Sequence, residues 1–205
     1  MPTYENDIQL WDAFKNGDNE AFEQIYKQNF SALLRYGRTL VYDDNLVRDA
    51  IQDLFLDLFK YRSSLKSLDN ILPYLLRSLK NLLGKRVTFS NQIIEIQDSQ
   101  TLHFFEGSVE DALILTELSE IQSQVIQKAL LSLPARQREA IHLKYFEELS
   151  NQQIADLMEI NYQSVINFIQ RGLSQLSDNL KLNSLSRKIY SLIFPFPLFF
   201  FKKKS

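Results

Sequence analysis

Apolar residues recur at three- and four-residue intervals along almost the whole chain, and this spacing is typical of amphipathic α-helices. One such stripe in the first half consists of Phe22, Ile25, Tyr26, Phe30, Leu33 and Leu34. Gly17 and Asp18 directly precede this stripe and supply a helix stop and a helix N-cap. Asp43 precedes a second stripe, and Pro73 fits the first turn of a third. We therefore predict an all-α fold.

Charged residues divide the chain into three parts. Residues 1–86 hold 12 basic and 12 acidic side chains, residues 87–120 hold 0 basic and 7 acidic ones, and residues 121–205 hold 11 basic and 6 acidic ones. The overall net charge of −2 therefore conceals an acidic segment between a neutral part and a basic part. Within the first part, residues 60–86 carry seven basic side chains against Asp69 alone. A nucleic-acid-binding surface requires a local basic patch of this kind.

The chain has no cysteine and only two histidines, and this composition excludes several functional classes. Disulfides, thiolate catalysis and zinc–cysteine sites require cysteine, and a multi-histidine metal site requires more than two histidines. The five glycines form neither a phosphate-binding loop nor a nucleophile elbow, and the adjacent Asp43 and Asp44 are explained as a helix cap. We therefore expect no enzyme activity, no cofactor and no small-molecule substrate.

Residues 150–180 have the pattern of a helix-turn-helix. Ser150 and Gln153 form a capping box that starts a short helix. Asn161 is placed to cap a second helix, and the small side chain of Ala155 permits the two helices to cross closely. The buried face of the second helix is predicted to contain Val165, Phe168 or Ile169, Leu173 and Leu176.

The opposite face of the second helix carries side chains that can hydrogen-bond to base edges or phosphates. These residues are Gln163, Ser164, Asn167, Gln170 and Arg171. The pattern favours DNA binding, but it is also compatible with a plain helical hairpin whose polar face is only solvated. Because the helix has few cations, limited phosphate contact is expected.

Two sets of motifs resemble those of bacterial sigma factors of the sigma-70 family, in the extracytoplasmic-function (ECF) group. The set that resembles region 4 consists of Leu133–Ala140, Tyr145–Ser150, Ile154–Ala155 and Ser164–Val165. Asp49–Phe59 resembles region 2.2, and Tyr74–Asn81 resembles regions 2.3 to 2.4. Both sets occur in the order of the family, within residues 8–180. The subtype resembles the one common in Bacteroidetes, and this resemblance is based on the segment Asn161–Val165 and on the apolar C-terminal tail.

The resemblance implies a transcription initiation factor that binds core RNA polymerase, directs it to promoter DNA and helps to open the duplex. An anti-sigma factor is a further implied partner. In the family the region 2.2 helix docks on a coiled coil of the largest polymerase subunit, and this role falls to Asp49, Gln52, Asp53, Phe55 and Leu56. Without the resemblance, simple solvation is the favoured interpretation of the polar face of this helix.

The resemblance also assigns the −10 promoter element to the basic patch at residues 60–86. An opened strand needs cations along its backbone and aromatic rings on which unpaired bases stack. The residues given this role are Tyr61, Tyr74, Arg77, Lys80, Asn81, Lys85 and Arg86. Taken by itself, each tyrosine is better explained as a core residue whose hydroxyl reaches water. Many family members have Trp where Tyr74 stands.

The −35 promoter element falls to the second helix of the helix-turn-helix. The resemblance implies base-edge contacts by Gln163, Ser164, Asn167 and Gln170, and phosphate contacts by Arg136, Arg138 and Arg171. Three positions depart from the family pattern: Glu159 replaces a frequent Gly, Ile166 a frequent cation and Gly172 the usual Ala. These departures bear on DNA affinity and promoter sequence more than on the fold.

Four segments are predicted: a region 2-like domain at residues 1–88, an acidic linker at 89–120, a region 4-like domain at 121–182 and a tail at 183–205. The negative charge of the linker predicts repulsion by DNA. Together with this charge, the resemblance implies that the linker follows cationic channels of the polymerase. The tail contains an apolar run of 13 residues broken by two prolines, too short to span a bilayer. It is expected to pack on the protein or a partner; the less favoured alternative is contact with a membrane surface.

The N-terminus lacks the apolar segment of a secretory signal, so a cytoplasmic location is expected. Besides an ECF sigma factor, the sequence permits a helix-turn-helix transcription regulator that acts without polymerase. This alternative leaves the motif at Asp49–Phe59 unexplained. An assay with core RNA polymerase separates the two.

Overall fold

The computed structural model describes residues 4–90 and 128–181. All regular secondary structure within these two ranges is helical, so the predicted all-α class is confirmed. Most of the predicted linker and the whole predicted tail lie outside the described residues. Within the described ranges, no helix is long and apolar enough to cross a membrane.

Four α-helices form the N-terminal unit: α1 (Asp7–Lys15), α2 (Asn19–Leu40), α3 (Asp44–Tyr61) and α4 (Ile71–Ser90). A short 3-10 helix at Arg62–Ser64 follows α3. Both predicted aspartate caps are present. The Asp18 side chain accepts hydrogen bonds from the first amides of α2, and the Asp43 side chain does the same for α3.

Large apolar side chains from all four helices fill the core of this unit. The almost completely buried ones include Trp11, Phe14, Ile25, Leu33, Ile51, Leu75 and Leu79. The Trp11 indole Nε1 also donates a hydrogen bond of 2.9 Å to the Lys66 carbonyl oxygen. Trp11 therefore fixes the connection between α3 and α4 to the core.

Three α-helices form the C-terminal unit: α5 (Ala135–Tyr145), α6 (Asn151–Met158) and α7 (Tyr162–Lys181). Residues 128–131, which precede them, are also helical. Both hydrogen bonds of the predicted capping box at Ser150 and Gln153 are present. The Asn161 side chain accepts a 2.7 Å hydrogen bond from the Ser164 amide and so caps α7 as predicted.

Two of the departures from the family pattern have a structural explanation or consequence. Glu159, in the turn between α6 and α7, has a φ of 56°, a left-handed conformation that costs a non-glycine residue of order 1–3 kcal/mol. Gly172 lies where α7 crosses α5, and a Cβ atom there would lie 2.5 Å from Ile141 Cδ1. The absence of a side chain at Gly172 therefore allows the close approach of the two helices.

The two units pack against each other, α2 on α5 and α4 on α6. Buried apolar side chains form one continuous cluster that includes Leu75 and Leu79 of α4 and Leu157 and Val165 of the helix-turn-helix. A smaller cluster lies under the start of α5 and includes Leu133, Ile141 and Leu176.

A Gly37→Ala substitution should lower the free energy of unfolding by about 1–3 kcal/mol, the usual effect of overpacking. Gly37 in α2 faces the buried Val47 of α3, and a Cβ atom would overlap the Val47 Cγ1 methyl. Val47 is β-branched and has little rotamer freedom with which to move away. Urea denaturation measures the loss.

Gly84→Ala is the matched control for this substitution. Gly84 also lies inside a helix, but a Cβ atom there would have no neighbour within 4 Å. The same chemical change should therefore stabilise the protein by about 0.5–1 kcal/mol, because alanine loses less conformational entropy in a helix. Equal effects at the two glycines would contradict the close α2–α3 crossing.

Candidate functional site

The outer face of α3 presents a polar stripe around one large apolar side chain. Asp49, Gln52, Asp53 and Leu56 follow each other at helical spacing, and all four are exposed. Leu56 is 60% exposed, far more than is usual for a leucine in a packed helix. We call these four residues the α3 face. Phe55, which was predicted with them, is only 4% exposed and lies in the core beneath.

Two partly exposed aromatic residues that sequence reasoning did not select lie close to Phe55 and the α3 face. The Tyr26 ring of α2 lies 4.8 Å from the Phe55 ring, and the Phe59 ring lies 5.2 Å from that of Phe22. Phe59 follows Leu56 by three residues and extends the apolar surface along α3. It belongs to the motif Asp49–Phe59, so its helical spacing from Leu56 was the available signal.

Three cations of α4 pair with carboxylates in this structure. Arg77 Nη2 lies 3.2 Å from Glu159 Oε1, and Lys80 Nζ lies 2.7 Å from Glu139 Oε1. Arg86 pairs with Asp53 of the α3 face. Asn81 and Lys85 are exposed on the same helix. Six of the seven predicted −10 residues thus share α4, whereas Tyr61 lies at the end of α3, and three of the six already have acidic partners.

The two tyrosines predicted for the −10 element differ in exposure. Tyr61, at the end of α3, is half exposed, and Lys60 Nζ lies 5.0 Å from the centre of its ring. Tyr74 is partly buried, and its ring makes an edge contact with Trp11 at 5.5 Å between centres. Tyr61 therefore presents a ring to solvent, whereas Tyr74 is supported from below by the core.

The outward face of α7 carries the predicted base-edge residues together. Gln163 and Gln170 are exposed, Ser164 and Asn167 are partly exposed, and Gln163 Nε2 donates a 3.3 Å hydrogen bond to Asn167 Oδ1. Tyr162, at the first position of α7, is also half exposed and was not predicted. The face is thus an amide-rich surface with free hydrogen-bonding capacity.

The three arginines predicted for phosphate contact are placed differently. Arg171 is exposed on α7. Arg136 is exposed as well, and its guanidinium donates a 3.3 Å hydrogen bond to the Met158 carbonyl oxygen at the end of α6. Arg138 is partly buried and donates to the Leu131 carbonyl oxygen at 3.2 Å. Arg138 therefore secures the chain before α5.

A polar network between the two units was not predicted. The Tyr36 hydroxyl of α2 donates a 2.9 Å hydrogen bond to Glu139 of α5, and the Arg35 guanidinium contacts both carboxylate oxygens of Glu147 at 3.3 Å. His142 Nε2 lies 3.0 Å from Glu147 Oε1. Burial, and secondarily the Glu139 carboxylate, raises the pKa of the Tyr36 hydroxyl well above its usual range, so this hydroxyl stays protonated and acts as a donor.

The match to a protein family covers the helix-turn-helix. Residues 115–176 match the family described as Sigma-70, region 4, and α6 and most of α7 lie within this range. The C-terminal unit is therefore similar to domains of the sigma-70 region 4 class.

Over most of its length the chain is similar to sigma factors. The ECF RNA polymerase sigma factor SigM of Bacillus subtilis is 22% identical over 147 residues, which cover 70% of this chain and 87% of SigM. The RNA polymerase sigma-H factor of Pseudomonas aeruginosa is 26% identical over 196 residues, which cover 88% of this chain and 97% of the relative. These relatives support the ECF sigma factor that the sequence motifs indicated.

Two solved structures share the fold. The sigma factor RpoE from Bartonella quintana, solved in complex with the anti-sigma factor NepR, superposes with a TM-score of 0.60 at 20% identity over 80% of this chain and 99% of RpoE. CnrH, solved in complex with the cytosolic domain of CnrY, gives a TM-score of 0.58 at 20% identity over 87% and 99% of the two chains.

Proposed function

We propose that this protein is an ECF-type sigma factor that binds core RNA polymerase, directs it to promoters and assists DNA opening. The observation that carries the proposal is the presence, in one all-helical chain, of a region 4 helix-turn-helix and a separate helical unit with an exposed acidic and apolar helix face. A regulator that acts on DNA alone has no use for the second feature. The similarity to sigma factors extends over both units.

In this proposal the α3 face docks on core polymerase. Leu56 supplies apolar area that is lost from water on docking, and Asp49 and Asp53 supply charge complementarity to a basic partner helix. Phe55 acts from beneath, because its ring packs against Tyr26 and thereby fixes the position of the exposed residues beside it. Phe59 enlarges the apolar part of the docking surface.

The α4 helix and the end of α3 take the −10 element in this proposal. Asn81 and Lys85 are exposed on α4, and Tyr61 presents a ring on which an unpaired base can stack, an interaction worth about 1–3 kcal/mol. Arg77, Lys80 and Arg86 join this surface when phosphates replace their carboxylate partners. Tyr74 contributes an aromatic ring whose position is fixed by its edge contact with the Trp11 ring.

The outward face of α7 reads the −35 element. Gln163, Asn167 and Gln170 carry the donor and acceptor groups that amides use to recognise base edges in the major groove. Ser164 lies on the same face, and Arg171 and Arg136 are the exposed cations available for phosphates.

Transcription with core RNA polymerase from the same organism tests the proposed function. Fragmented genomic DNA serves as the template, and the 5′ ends of the transcripts are sequenced. Addition of the protein should produce discrete start sites that share two upstream sequence elements. A protein that binds DNA tightly by itself, never associates with core polymerase and leaves the start sites unchanged would instead be a polymerase-independent helix-turn-helix regulator.

A Gln163→Ala substitution should weaken promoter binding by the polymerase complex about 5- to 150-fold, which corresponds to about 1–3 kcal/mol for one well-placed amide–base contact. Gln163 is exposed and lies in the first turn of α7, where recognition helices contact bases. Electrophoretic mobility shift with a promoter from the transcription assay measures the loss. Gln152→Ala on α6 is the matched control, because it removes the same exposed side chain outside the recognition face; equal losses would reject the assignment.

The proposed partners include an anti-sigma factor, since both structural relatives described above were solved in complexes, one of them with a named anti-sigma factor. A cytoplasmic site of action follows from the polymerase partner. The domain boundaries at residues 88, 120 and 182, the role of the acidic linker and the Bacteroidetes-like subtype belong to the same proposal and rest on sequence pattern.

A further inference from the structure

A surface of aromatic and apolar side chains lies where α2 and α3 pack together. Tyr26 and Phe59 are each 40% exposed, and Leu56 is 60% exposed. The partly exposed ring of Phe22 lies 5.2 Å from the Phe59 ring. The partly exposed ring of Phe30 lies 5.3 Å from the Tyr26 ring. We call these five residues the aromatic patch. Exposed apolar surfaces of this kind mark places where another group binds.

Phe55 joins the two halves of the aromatic patch from beneath. Its buried ring makes edge contacts with the Tyr26 ring at 4.8 Å and with the Phe22 ring at 6.1 Å. The patch is therefore one continuous surface. Three exposed aspartates of α3, at positions 49, 53 and 57, lie beside it. An occupant that fits this surface combines apolar side chains with cations.

The tail of the chain, which lies outside the described residues, has this composition. Residues 189–201 contain five of the 15 phenylalanines of the protein, and three consecutive lysines at 202–204 follow directly. Pro195 and Pro197 disfavour a helix and favour an extended polyproline II conformation. Extended Pro-containing segments bind to surfaces lined by aromatic rings, because they lose little conformational entropy on binding. The tail is therefore chemically complementary to the aromatic patch.

The chain after α7 is also long enough for this contact. The segment 182–195, which has 14 residues, separates the end of α7 from Phe196. Such a segment spans at most about 46–50 Å when it is fully extended. A compact body of about 140 residues has a radius of gyration of about 14 Å, which corresponds to a sphere about 37 Å across. The tail therefore reaches the N-terminal unit from the end of α7.

We propose that residues 189–204 bind to the aromatic patch of the same molecule, with phenylalanines on the exposed rings and the lysines beside the aspartates of α3. Apolar area then meets apolar area, and a segment of three positive charges meets an acidic helix face. Because Leu56 belongs both to the patch and to the α3 face, the bound tail also covers the proposed docking surface for core polymerase. This consequence rests on the proposed function, whereas the binding of the tail does not.

Covalent attachment makes even a weak contact effective. A short flexible linker gives an effective concentration of the order of 1 mM. A tail segment that binds with a Kd of about 0.1 mM as a separate peptide would occupy the patch in about nine molecules out of ten. Since the patch is open only in the tenth, the apparent affinity for polymerase falls about 10-fold. The tail thus acts as a brake that a tighter-binding partner displaces.

Distance measurement by pulsed electron paramagnetic resonance on the full chain tests the binding of the tail. The chain has no cysteine, so Gln28→Cys on α2 and Ser205→Cys in the tail provide a single pair of spin labels. Gln28 is exposed on the helix that carries Tyr26. The labelled protein should show one narrow distance distribution, whereas an unbound tail gives a broad one. An excess of unlabelled protein should leave the narrow distribution unchanged, because both labels belong to one molecule.

Substitutions on both sides of the contact should broaden this distribution. Phe59→Ser changes the patch, and its matched control is Tyr42→Ser, which removes another exposed aromatic ring outside the patch and should leave the distribution narrow. The combined variant Phe199→Ser/Phe200→Ser/Phe201→Ser changes the tail and no residue of the two helical units. A broad distribution for the parent, a narrow one for the tail variant, or equal broadening by Phe59→Ser and Tyr42→Ser would overturn the proposal.

Two other occupants give different results, and either would also overturn the proposal. If an excess of unlabelled protein abolishes the narrow distribution, the tail binds to a second copy of the chain. If the distribution is broad in solution and the protein floats with vesicles of phosphatidylcholine and phosphatidylglycerol, the tail is a membrane-surface segment.

Fluorescence titration with core RNA polymerase tests whether the bound tail covers the α3 face. Deletion of residues 189–205 should strengthen polymerase binding about 10-fold. Unchanged affinity after the deletion would overturn this consequence. If the distances show a bound tail but neither the full chain nor the deletion variant binds polymerase, the proposed function fails and the binding of the tail stands.

Discussion

A Leu56→Asp substitution should weaken binding to core RNA polymerase by about 30-fold or more, which corresponds to the loss of about 2 kcal/mol or more at an interface hot spot. Leu56 is the most exposed apolar residue of α3, and Asp49, Gln52 and Asp53 surround it on the same face. A partner that covers this face gains most from the leucine. An aspartate would lose that gain and would bring an unpaired charge into the interface.

Fluorescence titration of labelled protein with core polymerase measures this effect. Because Leu56 is 60% exposed, its substitution should leave the thermal unfolding midpoint almost unchanged. Ile8→Asp on α1 is the matched control, since Ile8 is also an exposed aliphatic residue but lies on another helix. If Leu56→Asp binds like Ile8→Asp, the α3 face is not the docking surface.

Charge reversal on the same face provides an independent check. Asp49→Lys should weaken polymerase binding without loss of fold. Asp49 is a better position than Asp53 for this purpose, because Asp53 also pairs with Arg86 of α4. A reversal at Asp53 would therefore change the α4 surface as well as the α3 face.

A Trp11→Ala substitution should lower the free energy of unfolding by about 3–5 kcal/mol, a large part of the about 5–15 kcal/mol that a domain of ordinary stability has. Trp11 is completely buried, packs against the rings of Phe14 and Tyr74, and donates a hydrogen bond to Lys66. Its loss leaves a cavity in the N-terminal unit and removes the support beneath Tyr74. Urea denaturation followed by circular dichroism measures the change.

Trp11→Phe separates the ring from the hydrogen bond. Phenylalanine retains most of the buried apolar area but leaves the Lys66 carbonyl without its indole donor, which costs about 1–3 kcal/mol. The wild-type protein is therefore expected to be the most stable, followed by Trp11→Phe and then by Trp11→Ala. A loss for Trp11→Ala no larger than that for Tyr42→Ala, at a position 62% exposed, would contradict the central place of Trp11 in the core.

Local structure was predictable from the sequence because it depends on neighbours in the chain. The capping box at Ser150, the caps at Asp18 and Asp43 and the cap at Asn161 each join a side chain to an amide two or three residues away. Such contacts depend on residue type and spacing alone. The helix-turn-helix and its buried face followed from them, and Val165, Ile169 and Leu176 are indeed buried.

The exposure of adjacent helical residues was harder to predict. Phe55 and Leu56 were both predicted to belong to the docking surface of this helix. In an ideal α-helix of about 3.6 residues per turn, however, the side chains of adjacent residues point about 100° apart around the axis. Phe55 is packed under Tyr26, whereas Leu56 is exposed. Hydrophobicity alone does not distinguish them, because which of the two residues is buried depends on the face of α3 that α2 covers.

Contacts between distant parts of the chain were not predictable. Glu139 and Lys80 are separated by 59 residues, and Glu147 and Arg35 by 112. Four of the seven cations in the predicted basic patch at residues 60–86 lie on α4, but no periodicity specifies which carboxylate a given cation meets. Gly172 shows the same limit: propensity alone predicts a cost at this position, whereas the approach of Ile141 explains why glycine is there.

The continuous apolar cluster that joins the N-terminal unit to the helix-turn-helix also determines how the molecule melts. When two units share buried side chains, unfolding of one removes packing partners from the other, so both are lost in a single cooperative transition. Units held apart lose this coupling and melt independently. The number of calorimetric transitions therefore reports whether the two units are engaged, without any label on the protein.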